Sequence, residues 1–403
     1  MPQTDAIEDA QLIFIDTEIG RGHPGYLDGT IARVAAAYPH LRYYRTDVFA
    51  ASHGLSKAGW RAVRWLYRMG GKGGLITPLY GLLRRSSGAV RGPGVTVRLL
   101  GRDLSRIAAR TEEILVVSHP ILAGMLVPLG TVVYQHGELA APDEALVTGC
   151  RRVLVPWQEG ADTFKRSGIA PETIAVTGQC IENELTDIAA MAYKARMERL
   201  KGNGPLTVAF FSSGAYPTLH LRRLCLAARS LTAAGHTSVI FAGQSRQVAK
   251  SLIRHFRRRG LPAVDGLDIS AGISIVGSTD RNDENRRIAG LFPRLDLFIA
   301  PAHERTNWAV GLGLPQFILC PHIGSYAPLN ATVAVGRGVA VEIRNDRKAQ
   351  TLAALIADFR QTGRLADMAF HGFGRTAIDG FDRSARILAD MVGDYRRDNS
   401  SPA

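Results

Sequence analysis

Residues 11–29, QLIFIDTEIGRGHPGYLDG, set an apolar run against a glycine-rich turn. The run reads as a buried strand. Gly20, Gly22 and Gly25 behind it let the backbone turn tightly and approach a neighbour closely, with His23 at the mouth of the turn. The same grammar recurs along the chain. Strands are expected at 11–16, 42–48, 113–119, 131–136, 152–156 and 173–177, then at 206–212, 237–242, 273–277, 295–300, 316–320 and 338–343, with helical patterns between most of them. Continuous apolar, β-branched runs separated by helices indicate parallel sheets covered on both faces.

A chain of 403 residues exceeds one ordinary core, so two domains follow. The expected class is α/β, with two doubly wound Rossmann-like domains facing an interdomain cleft. The first domain is expected over 1–182, a linker over 183–204, and the second domain over 205–375. A last helical stretch within 376–403 is expected to pack back on the first domain. In open parallel sheets ligands lie beyond the carboxyl ends of the strands, which directs attention to the loops after each strand.

Apolar segments such as ILVV (114–117) stop far short of the roughly 20 residues of a membrane span. Asp5, Glu8 and Asp9 precede the first strand where a signal segment would be basic and then apolar, so the expected location is cytoplasmic, with peripheral membrane attachment as an option. Cys150, Cys180, Cys225 and Cys320 are far apart and show no Cys-x-x-Cys spacing. They read as small buried residues, with no metal site and no cofactor expected.

The net charge of +13 is concentrated in one place. Between Asp47 and Asp103 there is no acidic residue, while Lys57, Arg61, Arg64, Arg68, Lys72, Arg84, Arg85, Arg91, Arg98 and Arg102 fall there. Trp60, Trp65, Tyr67, Tyr80 and several leucines are interleaved with them. Cations mixed with aromatic and aliphatic residues suit an anionic membrane surface, so 57–91 reads as a basic amphipathic insertion. A solvated helix packed on its own domain is the plainer alternative. No nucleic-acid-binding module surrounds the segment, and nucleic acid is not an expected partner.

An ordered series of motifs carries a resemblance. The glycine-rich turn with its histidine is followed by VVSHP (116–120), VLVPWQEGADTFKRSGIAPETIAVTGQCI (153–181), FFSSG (210–214), and GLPQFILCP (313–321) with NATVAVGRG (330–338). This series resembles the inverting glycosyltransferases of the GT-B fold, above all the monogalactosyldiacylglycerol synthase and processive diacylglycerol glucosyltransferase group and the enzyme that adds N-acetylglucosamine to lipid I. The likeness spans roughly 11–345. It implies transfer of a sugar from a nucleotide-diphosphate sugar held by the second domain, a UDP-sugar by preference, to a lipid or small-molecule acceptor held by the first.

Read on the residues themselves, Ser212, Ser213 and Gly214 follow a strand and precede a helix, where backbone N–H groups favour a phosphate. In PAHERTNWAVGLGLP (301–315), Thr306 or Asn307 is expected to cap the next helix, bringing His303, Glu304 and Arg305 to the same sheet edge. Two helix ends and an arginine would hold a leaving diphosphate without a metal. Asn330 matches the family's asparagine beside the donor sugar. The acid that the family places on the ribose corresponds to Trp308, so either Glu304 substitutes or the ribose is held differently.

On the acceptor side, Gly22, His119 and His136 stand at strand ends, and His23 is the first choice for general base because an imidazole titrates near neutral pH. Glu138 is the second. Asp28 reads as a solvated helix residue. Besides glycosyl transfer, the residues leave open a nucleotide-sugar epimerase, a soluble natural-product glycosyltransferase and a catalytically silent relative.

Overall fold

The computed structural model describes residues 7–17, 22–71, 95–108, 113–270 and 272–400. The chain divides into two compact units. One comprises the residues up to Ile181, except 71–73, together with those from Ala377 onward; the other runs from Glu182 to Thr376, with 71–73 attached.

The first unit is built on a parallel sheet of order β2-β1-β3-β4-β5-β6. Its strands are β1 (Leu12–Asp16), β2 (Tyr43–Asp47), β3 (Ile114–Val117), β4 (Val132–Gln135), β5 (Arg152–Val155) and β6 (Ile174–Val176). Alternate residues feed two cores, which is why the strand sequences are apolar throughout. Ile13, Ile15, Leu115, Val117, Val153 and Val155 pack with Trp60, Leu104 and Phe164 on one face. Leu12, Phe14, Val116 and Leu154 pack on the other against Leu27 and Val34 of the helix Gly22–Ala37, and against Leu388 and Val392 of the terminal helix Gly380–Ser400. That last helix completes the core of the unit in which the chain begins.

In the second unit the sheet order is β13-β12-β11-β7-β8-β10-β9, again all parallel. The strands are β7 (Thr207–Phe211), β8 (Thr237–Gly243), β9 (Ala263–Asp265), β10 (Ile273–Gly277), β11 (Leu297–Ala300), β12 (Gln316–Leu319) and β13 (Ala340–Ile343). All twelve expected strands are present, and β9 is a thirteenth that the sequence pattern missed. Residues 183–204, expected as a linker, instead supply helices Asn183–Thr186 and Ala189–Lys201 to this unit.

Arg196, buried on the second of those helices, donates from Nε to the Leu295 carbonyl at 2.9 Å and from Nη1 to the Leu312 and Gly313 carbonyls at 2.9 and 3.1 Å. It ties the end of the helix Thr306–Leu312 to the strand entering the sheet beside it. Gly313 ends that helix at φ +59°, and a Cβ there would meet the Ala369 carbonyl oxygen at 2.5 Å. Conformation and space both require glycine at this position.

Candidate functional site

Each sheet has one point at which successive strands begin to add on opposite sides. In the second unit this switch lies between neighbouring strands β7 and β11, because β8, β10 and β9 extend one way and β12 and β13 the other. In the first it lies between β1 and β3. The crevice beyond the carboxyl ends of two such strands is where open α/β sheets bind ligands.

At the second unit's switch, Ser212 and Ser213 follow β7, and His303 to Thr306 follow β11. The hydroxyls of Ser212, Ser213 and Thr306 are inaccessible to solvent and have no hydrogen-bond partner in the described structure. The sequence places these residue types correctly beyond the strands but misreads the helices around them. The helix after Ser213 starts only at Thr218, following a turn in which Tyr216 N–H donates to the Ser213 carbonyl at 3.0 Å and Tyr216 adopts φ +49°. Ser212, Ser213 and Gly214 therefore precede a turn, not a helix N-terminus.

The expectation of a capped helix after His303 also needs correcting. Arg305 occupies the cap position and no side chain caps the helix; Thr306 and Asn307 are buried in its first turn. The N–H groups of Thr306, Asn307 and Trp308 are bonded to the carbonyls of His303, Glu304 and Arg305 at 2.9, 3.2 and 2.9 Å. The tight turn uses the donors that a helix end would have offered an anion. The Thr306 hydroxyl is what this loop retains.

Arg305 is already engaged. Its Nη2 lies 2.6 Å from Glu284 Oε1, its Nη1 3.5 Å from Glu304 Oε1, and the guanidinium stands 4.3 Å from the centre of the Phe211 ring. Burial works against its charge, but Glu284, Glu304 and Glu182 outweigh burial and hold its pKa above the ordinary value. For Glu304, burial alone would raise the carboxyl pKa; Arg305, His303 and Arg281 bring it below the usual range. Trp308, at the position of the resembling family's ribose acid, is buried and donates from Nε1 to Glu182 at 2.9 Å. Asn330 donates to the Ala302 carbonyl at 3.2 Å and so braces the His303 loop from the helix Tyr326–Gly336.

One neighbour had no sequence signal. His220 is buried on the helix Thr218–Ala233, with Nε2 2.8 Å from the Pro321 carbonyl. Burial, reinforced by His303, Arg223 and His322, brings its pKa down to about 4, despite the opposing hydrogen bond. A lone histidine in an ordinary amphipathic helix shows no pattern to a reader of sequence.

In the first unit, His23 lies in the first turn of the helix Gly22–Ala37, directly behind Gly22, rather than in a free turn. Residues 18–21 are outside the described ones. This helix is held to the sheet by Arg45, whose Nη2 is 2.6 Å from Asp28 and 3.1 Å from Asp16. Asp28, expected to be solvated, is thus an ion-pair partner. His119 follows β3 and accepts the Ile121 N–H at 3.2 Å, acting as the cap of the helix Pro120–Leu126. His136 and Glu138 follow β4, one strand away from the switch, and both are buried. His136 has Nδ1 3.2 Å from the Tyr134 hydroxyl and packs edge-on to Phe164.

No protein-family model matches the chain, and no curated protein sequence does. Solved structures do. The chain aligns over 98% of its length with 98% of a Listeria monocytogenes protein assigned as a UDP-N-acetylglucosamine 2-epimerase, at a TM-score of 0.57 and 10% identity. It aligns over 96% with 96% of MnaA from S. aureus, solved with UDP (0.54, 10%), and over 95% with 99% of UDP-GlcNAc 2-epimerase from Neisseria meningitidis, bound to UDP-GlcNAc (0.51, 9%). The chain has a GT-B-like fold. Identities this low carry the architecture alone, and they agree with the two doubly wound domains expected from the sequence.

Two consequences can be measured. Replacing Arg305 by methionine removes the nearest counter-charge of Glu284 and Glu304 and should cost about 3 kcal/mol in denaturant unfolding; a cost below about 1 kcal/mol would show the pair to behave as a solvent-exposed one. For His220, the folded-state pKa of about 4 lies below the ordinary 6.5, so the unfolded chain binds the extra proton between those values. The stability it contributes is complete above 6.5 and is lost as pH falls toward 4. From about pH 7 to about pH 5 wild type should lose about 2 kcal/mol more than His220→Asn, and parallel pH profiles would disprove this.

Proposed function

We propose that this protein is a nucleotide-diphosphate-sugar enzyme, and that its reaction is inverting transfer of the sugar to an acceptor hydroxyl with no metal at the diphosphate. The observation that carries the reading is the set of buried, unpartnered hydroxyls of Ser212, Ser213 and Thr306 at the β7/β11 switch. Each costs about 1–3 kcal/mol when left unsatisfied, and a ligand rich in acceptor oxygens, as a diphosphate is, recovers that cost. The likeness in fold to proteins solved with UDP and with UDP-GlcNAc favours a uridine-linked donor.

The first unit then receives the acceptor. His23 is our choice for the base, because its helix starts at the β1/β3 switch, whereas Glu138 belongs to the loop of a strand further along the sheet. In the step itself the base takes the acceptor O–H proton, the oxygen bonds to the anomeric carbon from the face opposite the phosphate, and the bond from that carbon to the phosphate oxygen breaks. The nucleoside diphosphate leaves with the electron pair.

The helix Gly54–Gly71 supports a membrane-borne acceptor. It exposes Leu55 and Trp65, at 72% and 58%, on the element that carries Lys57, Arg61 and Arg64. Lys72, Arg84, Arg85 and Arg91 of the basic insertion lie outside the described residues. Among the described residues no helix is long and apolar enough to cross a membrane. Peripheral attachment should show as sedimentation with anionic vesicles that weakens as salt rises, and that falls in a Lys57/Arg61/Arg64→Gln variant. Sedimentation that is absent at low salt would point to a soluble acceptor.

Epimerisation is the second reading, favoured by the end-to-end likeness to proteins described as 2-epimerases. Analysis of products from UDP-sugars, with and without lipid acceptors, separates the two. Transfer releases UDP only with acceptor; an epimerase converts the donor without any. Under the transfer reading, His23→Ala should lower turnover by about 100-fold or more with UDP affinity retained. Full activity in that variant with a dead Glu138→Gln would exchange their roles.

A further inference from the structure

The carboxyl ends of β12 and β13 bring together three side chains that neither the strand pattern nor the cysteine spacing announces. Cys320 follows β12 directly, and His322 comes two residues later. Glu342 lies on β13, where it pairs in register with Ile318. His322 Nε2 is 3.9 Å from Cys320 Sγ and 2.7 Å from Glu342 Oε1, and all three donor atoms lie within 4.8 Å of one another. Their surroundings hold them in place. Arg344 donates to the other Glu342 oxygen at 2.6 Å, Arg223 donates to the Cys320 carbonyl, and His220 bonds the Pro321 carbonyl at 2.8 Å. Arg223 is itself fixed by Asp346 at 3.2 Å.

We propose that Cys320, His322 and Glu342 form a binding site for a borderline-soft divalent cation of the zinc class. Thiolate, imidazole and carboxylate are the three ligand types zinc takes, whereas magnesium and calcium favour oxygen alone. The spacing fits. Bonds of about 2.3 Å to sulfur and about 2.0 Å to nitrogen at a tetrahedral angle separate those atoms by about 3.5 Å, close to the observed gap. Between His322 and Glu342 the cation replaces a shared proton, and the two side chains must part by about half an ångström to admit it. Binding bonds the metal to Sγ, Nε2 and a carboxylate oxygen, and releases to solvent the thiol proton and any proton between His322 and Glu342. Three protein ligands leave a fourth position for water or a small anion. Glu342 and Arg344 also line a cavity of about 440 Å³ with Lys348, Arg364 and His371, where an anion would find cationic partners.

The test is cobalt titration of the reduced, chelator-treated full chain. A single equivalent should give visible bands of tetrahedral cobalt together with a thiolate-to-cobalt charge-transfer band, and zinc should displace both. Cys320→Ser should abolish the charge-transfer band, Cys225→Ala should retain it, and His322→Gln and Glu342→Gln should each weaken zinc binding tenfold or more. No such band in wild type, or an undiminished band in Cys320→Ser, would overturn the site. Should Cys320→Ser fail to fold by circular dichroism, Glu342→Gln decides: unchanged zinc affinity refutes the proposal, and tenfold weakening sustains it. None of these readouts depends on nucleotide binding or turnover.

Discussion

The guanidinium of Arg305 has to be neutralised where it sits. It is largely removed from water, stacked on Phe211, and closed in by Glu284 and Glu304. A charge in that position is tolerated only when it is paired. Meeting the requirement draws the loop after β11 into a tight turn whose backbone donors are consumed locally, and Asn330 and Arg196 lock the two ends of that region to the rest of the unit. What the loop offers a ligand follows from this constraint. Its backbone is committed and Arg305 is committed, so the Thr306 hydroxyl remains.

In the first unit a more exposed arginine also bridges two carboxylates. Arg45, between Asp16 and Asp28, pins the helix that carries His23 to the edge of β1 and β2. Burial lowers its pKa, and the two aspartates more than reverse that effect. In each unit an arginine paired with two carboxylates fixes an element near the carboxyl ends of the strands. On this account the arginines position the site, and contact with the substrate falls to smaller side chains.

The sheet was legible because strands buried on both faces must be apolar at every position, and runs such as LIFI and LFIA admit few other readings. β9 escaped because it has three residues at a sheet edge, is only partly buried, and ends in an aspartate. The positions of Ser212, Ser213 and Thr306 beyond their strands were legible for the same reason as the strands. Their local conformation was not. Nothing near Arg305 in sequence reveals that its partner is Glu284, 21 residues earlier, and without that pair the stretch from His303 reads as an ordinary capped helix. Asp28 and Arg45 are separated in the same way. The cluster of Cys320, His322 and Glu342 depends on the register of two strands, which cysteine spacing cannot report.

The central claim is that the β7/β11 switch of the second unit binds a nucleoside diphosphate through hydroxyls. Calorimetric titration of UDP into wild type and into a Ser213→Ala/Thr306→Val double variant tests it most directly. Two lost hydrogen bonds at about 0.5–1.5 kcal/mol each predict an affinity lower by about fivefold or more, with thermal stability preserved or raised because two unsatisfied buried groups have gone. Equal affinity in the two proteins, or the absence of UDP binding to wild type, would contradict the account.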